Sequence, residues 1–214
     1  MRIGILGGTF DPVHLGHLRS AEEICQELDL EKIYLIPSAS PPHKTHETVT
    51  PFRDRLAMTG MAAAMSPCLE TLDLEGKRPG HSYSIETLRD LHRTLGPHAE
   101  IFFVLGMDAF LEIKTWKEYQ HLFDYAHFVV IGRPGFETVP LSKAVSDLRT
   151  AMDLTPTGPD VFAVPSGKTV RLIRTTLMDI SSTRIRNLVG ADRSIRFLVP
   201  EKIGKYIAEN RLYR

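Results

Sequence analysis

Little in this chain could cross-link it, insert it in a bilayer or hold it to a polyelectrolyte by charge alone. Its 214 residues include two cysteines, Cys25 and Cys68, too few for a disulfide framework. Both fall on apolar segments, so two separate buried thiols are expected. No apolar run approaches the roughly 20 residues that span a bilayer. The first residues read as a strand rather than a leader, which predicts a cytoplasmic protein with no membrane partner. Lysine plus arginine number 26 and aspartate plus glutamate 26. That balance argues against a general nucleic-acid binder, but not against a local basic pocket for a small polyanion. Repeats, low-complexity stretches and linkers are missing. Two common phosphate motifs are missing as well. A Gly-x-Gly-x-x-Gly pattern fails because Leu6 stands two residues after Gly4, which removes a hydride-transfer reading. A P-loop fails because Phe162 stands five residues before Gly167, and Val170, Leu172 and Ile173 then alternate like a strand.

What is present is a regular alternation of strand and helix signals. Apolar runs at 2–6, 32–37, 69–74, 101–105 and 127–131 read as strands, with shorter ones near 161–164 and 169–174. The helical spacings fall at 15–28, 51–65, 84–95, 141–151, 182–189 and 200–209. Residues 38–50 and 153–160 read as loops or turns. The 51–65 helix should turn Phe52, Leu56, Thr59 and Ala63 inward, and Ser82 or Ser84 should cap the 84–95 helix. Strands alternating with helices predict a Rossmann-like α/β fold: a doubly wound parallel sheet with helices on both faces. A chain 43% hydrophobic can bury one core, so residues 1–214 are expected to form one domain, with a small helical part at about 180–214. Ligands of such sheets bind at strand carboxyl ends, where the strand order reverses. Gly7–Thr9, Pro37–Ser38, Gly106–Asp108 and Gly132–Arg133 should all sit there.

The chain is organised around residues 2–20, RIGILGGTFDPVHLGHLRS. A strand runs into Gly7 and Gly8, and a helix begins near Leu15. Glycine lets a phosphate approach main-chain N–H groups, and a helix start adds unpaired donors with partial positive charge. His14 and His17 would stand together at that start. Three readings of the pair are open: surface histidines, a zinc site shared with the matching His43 and His46 spacing, or imidazoles aimed at a bound phosphate.

GGTFDPVHLGH resembles the signature of the nucleotidyltransferase superfamily with a His-x-x-His or Thr-x-x-His motif. More narrowly, the chain resembles bacterial nicotinate-nucleotide adenylyltransferases. Further matches follow in order: PPHK at 41–44, YS then ETL at 83–88, GMDAF at 106–110, Trp116, GRPG at 132–135 and ISSTRIR at 180–186. The resemblance implies transfer of AMP from ATP to nicotinate mononucleotide, with deamido-NAD and pyrophosphate as products. It implies that Gly7, Gly8, Thr9, Phe10, His14, His17, Gly106 and Asp108 bind ATP, with Ser181, Thr183 and Arg186 on its outer phosphates. His17 would meet the reacting phosphate, with His14 beside it and Lys44 contributing charge. Lys44, Arg53, Tyr83, Ser84, Trp116 and Arg133 would hold the mononucleotide. Trp116 would stack on the pyridine ring, and main-chain N–H groups near Tyr83–Ser84 would read its carboxylate.

The reaction needs positioning and neutralisation rather than a nucleophilic side chain. Mg²⁺ is expected to arrive on ATP, and no protein metal site is expected. Two alternatives stay open: the same transfer to nicotinamide mononucleotide, and nucleotide binding without turnover. A homo-oligomer is neither required nor excluded.

Overall fold

The computed structural model describes residues 1–41, 49–132, 135 and 139–214. Its strands are β1 (Arg2–Gly8), β2 (Lys32–Pro37), β3 (Leu69–Thr71), β4 (Glu100–Gly106), β5 (His127–Ile131), β6 (Thr155–Gly158), β7 (Val161–Ala163) and β8 (Thr169–Ile173). Among the described residues they form one sheet in the order β3-β2-β1-β4-β5-β8-β7-β6. Pairings from β3 through β8 are parallel. The fold is α/β and Rossmann-like, and the order reverses between β1 and β4.

One end of the sheet departs from the parallel expectation. β7 runs antiparallel to β8, and β6 antiparallel to β7. The segment expected as a turn at 153–160 therefore contains a strand. Pro156 and Gly158 argued against one, but β6 is the edge strand, where a missing N–H leaves no neighbour unpaired.

The helices are α1 (Leu15–Glu27), α2 (Phe52–Ala63), α3 (Ser84–Leu95), α4 (Met107–Leu111), α5 (Tyr119–Tyr125), α6 (Leu141–Ala144), α7 (Ser146–Met152), α8 (Ser182–Gly190) and α9 (Glu201–Glu209). The single helix expected at 141–151 is two short ones. Side chains alternate across β4 and divide the core. Ile101, Phe103 and Leu105 pack with α3 and α5 through Ile85, Leu88, Leu122 and Phe123. Phe102 and Val104 belong to the other face, with Ala21 and Ile24 of α1, Met58 of α2, Ile185 of α8 and Ile203 of α9.

Two expectations fail in instructive ways. α2 buries Asp54, Arg55, Met58, Thr59, Ala62 and Ala63, whereas Phe52 and Leu56 are only partly buried. Apolar spacing alone missed this face because two charged residues turn inward onto partners. The Tyr206 hydroxyl donates to Asp54 at 2.8 Å, and Arg55 donates to main-chain carbonyls. The cysteines also depart from expectation. Cys25 near the end of α1 is joined to Cys68, with Cα atoms 6.7 Å apart, and Cys68 is only half-buried. The pairing follows from β3 lying beside β2 on the edge that α1 covers, a proximity that sequence spacing does not carry. No helix among the described residues is long and apolar enough to cross a membrane.

Candidate active site

A cavity of about 600 Å³ opens at the carboxyl ends of β1 and β4, where the sheet order reverses. Gly7, Gly8, Thr9, Phe10, His17, Gly106 and Asp108 line it, as do Ser182, Thr183 and Arg186. Tyr83, Ser84 and Trp116 close the opposite end.

The turn after β1 is shaped by strain and by a close contact. Phe10 has φ 49°, a left-handed conformation that costs energy for an aromatic residue. Its ring lies where a Cβ on Gly8 would come within 3.3 Å. The same ring meets His17 edge-on, with centroids 5.1 Å apart. His17 Nδ1 accepts the His14 main-chain N–H at 3.3 Å. A neutral imidazole that accepts at Nδ1 carries its proton on Nε2.

His14 stands beside His17. It is 3% exposed and stacks behind His17, with ring centroids 3.7 Å apart. His14 does not line the large cavity. It lines a smaller one of about 50 Å³, with Ile131, Gly132, Thr175–Met178 and Ile180, and only His17 of the pair reaches both. That smaller wall is tied down by α1. Glu23 accepts the Thr176 main-chain N–H at 2.7 Å and its hydroxyl at 2.6 Å.

At the start of α8 the three hydroxyls have separate tasks. Ser181 Oγ accepts the Arg184 N–H at 3.2 Å, a helix N-cap. Ser182 Oγ donates to the Pro12 carbonyl at 2.9 Å and fastens the helix to the turn after β1. Thr183 Oγ1 accepts from Arg186 at 3.3 Å. Arg186 also donates to the Asp11 carbonyl at 2.9 Å. Ser181, expected on the nucleotide, is therefore engaged in capping and does not line the cavity. The Asp11 carboxylate, 3% exposed, accepts the Tyr213 hydroxyl at 2.8 Å and the Thr50 N–H at 3.2 Å. Burial, then the charge of Asp11, pushes the Tyr213 phenol far above its ordinary range, so it stays a donor.

At the other end Trp116 packs edge-on against Phe103, centroids 6.2 Å apart. Lys117 lies 4.6 Å over the Tyr83 ring and pairs with Glu86 at 2.6 Å. Helix α3 begins at Ser84 without a side-chain cap. The expected cap Ser82 instead accepts the main-chain N–H groups of Ala39 and Ser40 at 3.0 and 3.1 Å. The start of α3 thus faces the cavity with its own main-chain donors.

One expected residue is not brought here. Arg53 points outward, its side chain 87% exposed beside Asp54. Lys44 and Arg133 lie outside the described residues, as do His43 and His46 of the zinc alternative. Among the described residues no group of three or more His, Cys, Asp or Glu could hold a metal. Two residues the sequence reading passed over belong to the site's frame. Glu75 lines the cavity while buried, accepting the Thr87 hydroxyl at 2.7 Å. Arg55, 1% exposed, reaches the turn from beneath. Its signal was available: Arg55, Met58, Thr59 and Ala62 share one helical stripe.

Residues 5–188 match the cytidylyltransferase-like family model, and the chain belongs to that family. The curated relatives narrow this. A "Probable nicotinate-nucleotide adenylyltransferase" of Geotalea daltonii is 45% identical over 213 residues, covering 100% of this chain and 98% of the relative. A protein of the same name from Desulfatibacillum aliphaticivorans is 43% identical, with 100% of both chains covered. The fold is similar to that of Plasmodium falciparum nicotinic acid mononucleotide adenylyltransferase complexed with NaAD. That likeness has a TM-score of 0.77 at 20% identity, covering 99% of this chain and 97% of the other.

Proposed function

We propose that this chain transfers AMP from ATP to nicotinate mononucleotide, releasing pyrophosphate and forming deamido-NAD. One observation carries the reading: the His17 ring, at the start of α1, lines one cavity together with the β1 turn, the start of α8 and Trp116. The relatives at 43–45% identity bear the name of this activity.

In the proposed mechanism the triphosphate rests on the turn Gly7–Phe10, with Thr183 and Arg186 on its outer phosphates. Asp108 and Gly106 sit where ribose hydroxyls need an acceptor and close approach. The pyridine ring lies against Trp116, and the main-chain N–H of Ser84 at the start of α3 meets its carboxylate. A phosphate oxygen of the mononucleotide attacks the ATP α-phosphorus in line. One P–O bond forms, the bond to the bridging oxygen breaks, and its electron pair leaves with pyrophosphate. His17 donates through Nε2 to an α-phosphate oxygen as charge gathers there. His14 acts from behind, fixing the His17 ring. Lys44, from a segment outside the described residues, is assigned the added positive charge. Mg²⁺ enters as part of the ATP complex, since the triphosphate itself supplies hard oxygen ligands. The same chemistry fits a cytoplasmic enzyme, where ATP is abundant.

The test is pyrophosphate release from ATP with nicotinate or nicotinamide mononucleotide. Turnover should be faster with the acid. His17→Ala should lower kcat by about 10²–10³-fold, the usual cost of one transition-state donor. A loss under about tenfold would remove His17 from this role. Equal turnover of acid and amide would remove the proposed reading of the carboxylate.

A further inference from the structure

Arg55 lies beneath the site with no surface of its own, 1% exposed. Its guanidinium is spent almost wholly on main-chain oxygens. Nη1 donates to the carbonyls of Thr9 and Ser38, both at 2.7 Å. Nε donates to the Thr50 carbonyl at 2.8 Å, and Nη2 reaches that of Ala39 at 3.4 Å. The Phe52 ring covers one side of the group at 5.4 Å. Burial lowers its affinity for the proton, and the nearby carboxylates of Asp11 and Glu75 work the other way.

The four acceptors are not scattered. Thr9 follows β1 and carries the phosphate turn, and Ser38 and Ala39 follow β2. Ala39 and Thr50 flank the stretch that contains Lys44. A buried cation is costly unless its donors are satisfied. Here satisfaction requires three separate main-chain segments to hold one arrangement around a planar fork. The consequence falls on His17, because Thr9 leads directly into Phe10, whose ring touches it.

We infer that Arg55 is a positioning residue for the transfer reaction: by binding the carbonyls of Thr9, Ser38, Ala39 and Thr50 it holds the phosphate turn and both ends of the Lys44 segment in one register. This rests on the function proposed above. It predicts an effect on turnover beyond any effect on folding, since misplacement of reacting groups by about 1 Å can cost roughly 100-fold.

The primary variant is Arg55→Lys, which keeps the charge but loses the planar fork. At a temperature where circular dichroism shows it fully folded, kcat should fall roughly 10- to 100-fold, with KM for ATP raised more than KM for the mononucleotide. In Arg55→Ala, methylguanidinium should restore turnover in a saturable way. Values of kcat and both KM within twofold of the unaltered chain would overturn the inference. So would a folded alanine variant with lowered turnover that methylguanidinium leaves unchanged. If neither variant folds, hydrogen exchange on the unaltered chain decides. Residues 9–11, 38–40 and 49–50 should open together with a common free energy, and independent opening would overturn it. An unaltered chain without pyrophosphate release would instead remove the underlying function, and the exchange result would stand apart from it.

Discussion

Trp116 shows how much one side chain can decide. It is partly buried against the core cluster that includes Phe103, yet also lines the cavity. A single tryptophan in a sequence reads first as core, and half of that reading holds. If its cavity-facing side carries the pyridine ring, Trp116→Ala should raise KM for the mononucleotide about 5- to 160-fold, from the ~1–3 kcal/mol of an aromatic stacking platform. KM for ATP should move far less. Steady-state kinetics with each substrate varied would check this, and equal shifts in both constants would return Trp116 to a packing role. That His14 and His17 adjoin at a helix start was legible in the sequence, because the glycines and the apolar spacing after Leu15 mark where α1 begins. Which of the two rings lines the larger cavity was not, since that depends on tertiary packing. Arg55 was passed over because a charged residue on a helix is solvated by default, and only tertiary carbonyls reverse that.

At the level of elements, the phosphate turn is held from the far end of the chain. Leu15 N donates to the Leu198 carbonyl at 3.0 Å, and Tyr213 beyond α9 reaches Asp11. Tyr213→Phe should cost about 1.5–3 kcal/mol of stability, the worth of a hydrogen bond to a charged group. Urea unfolding would measure it, and KM for ATP should rise in the same variant. A neutral result in both would make that bond incidental. The clasp of Glu23 on Thr176 gives a second prediction. Glu23→Ala should loosen the wall of the smaller cavity and raise KM for ATP several-fold, leaving KM for the mononucleotide nearly unchanged. Substrate titrations of the two proteins would separate these outcomes. Strand and helix positions were readable from periodicity, and α3 was located to the residue. Its missing cap was not readable: Ser82 looked like a cap, but the strand-end loop at Ala39–Ser40 competed for the same oxygen and won.

For the molecule as a whole, stability should depend on acidity through a residue remote from the cavity. His127 stacks on Phe102 with centroids 4.9 Å apart, and its Nδ1 accepts the Thr169 N–H at 3.1 Å. Burial, and after it the positive charge of Lys168, lowers its pKa from the ordinary 6.5 to about 4. The folded ring therefore stays neutral while the unfolded one takes up a proton. Stability from this source is complete above about pH 6.5, is lost as pH falls, and levels off below about pH 4. Urea midpoints between about pH 7 and pH 4.5 should fall in the natural chain. The fall should be shallower in His127→Gln, and parallel curves would remove the effect. The antiparallel edge made by β6 and β7 was the hardest global feature to foresee, since both strands are short and β6 contains Pro156.

The bare start of α3 has one more consequence. An acid group seated there would be held by peptide dipoles and not by a mobile counter-cation. Added salt, which weakens attraction between exposed charges, should then do little to dislodge it. Small aromatic acids would be natural starting points for inhibitors, and those with basic groups would gain nothing at that end.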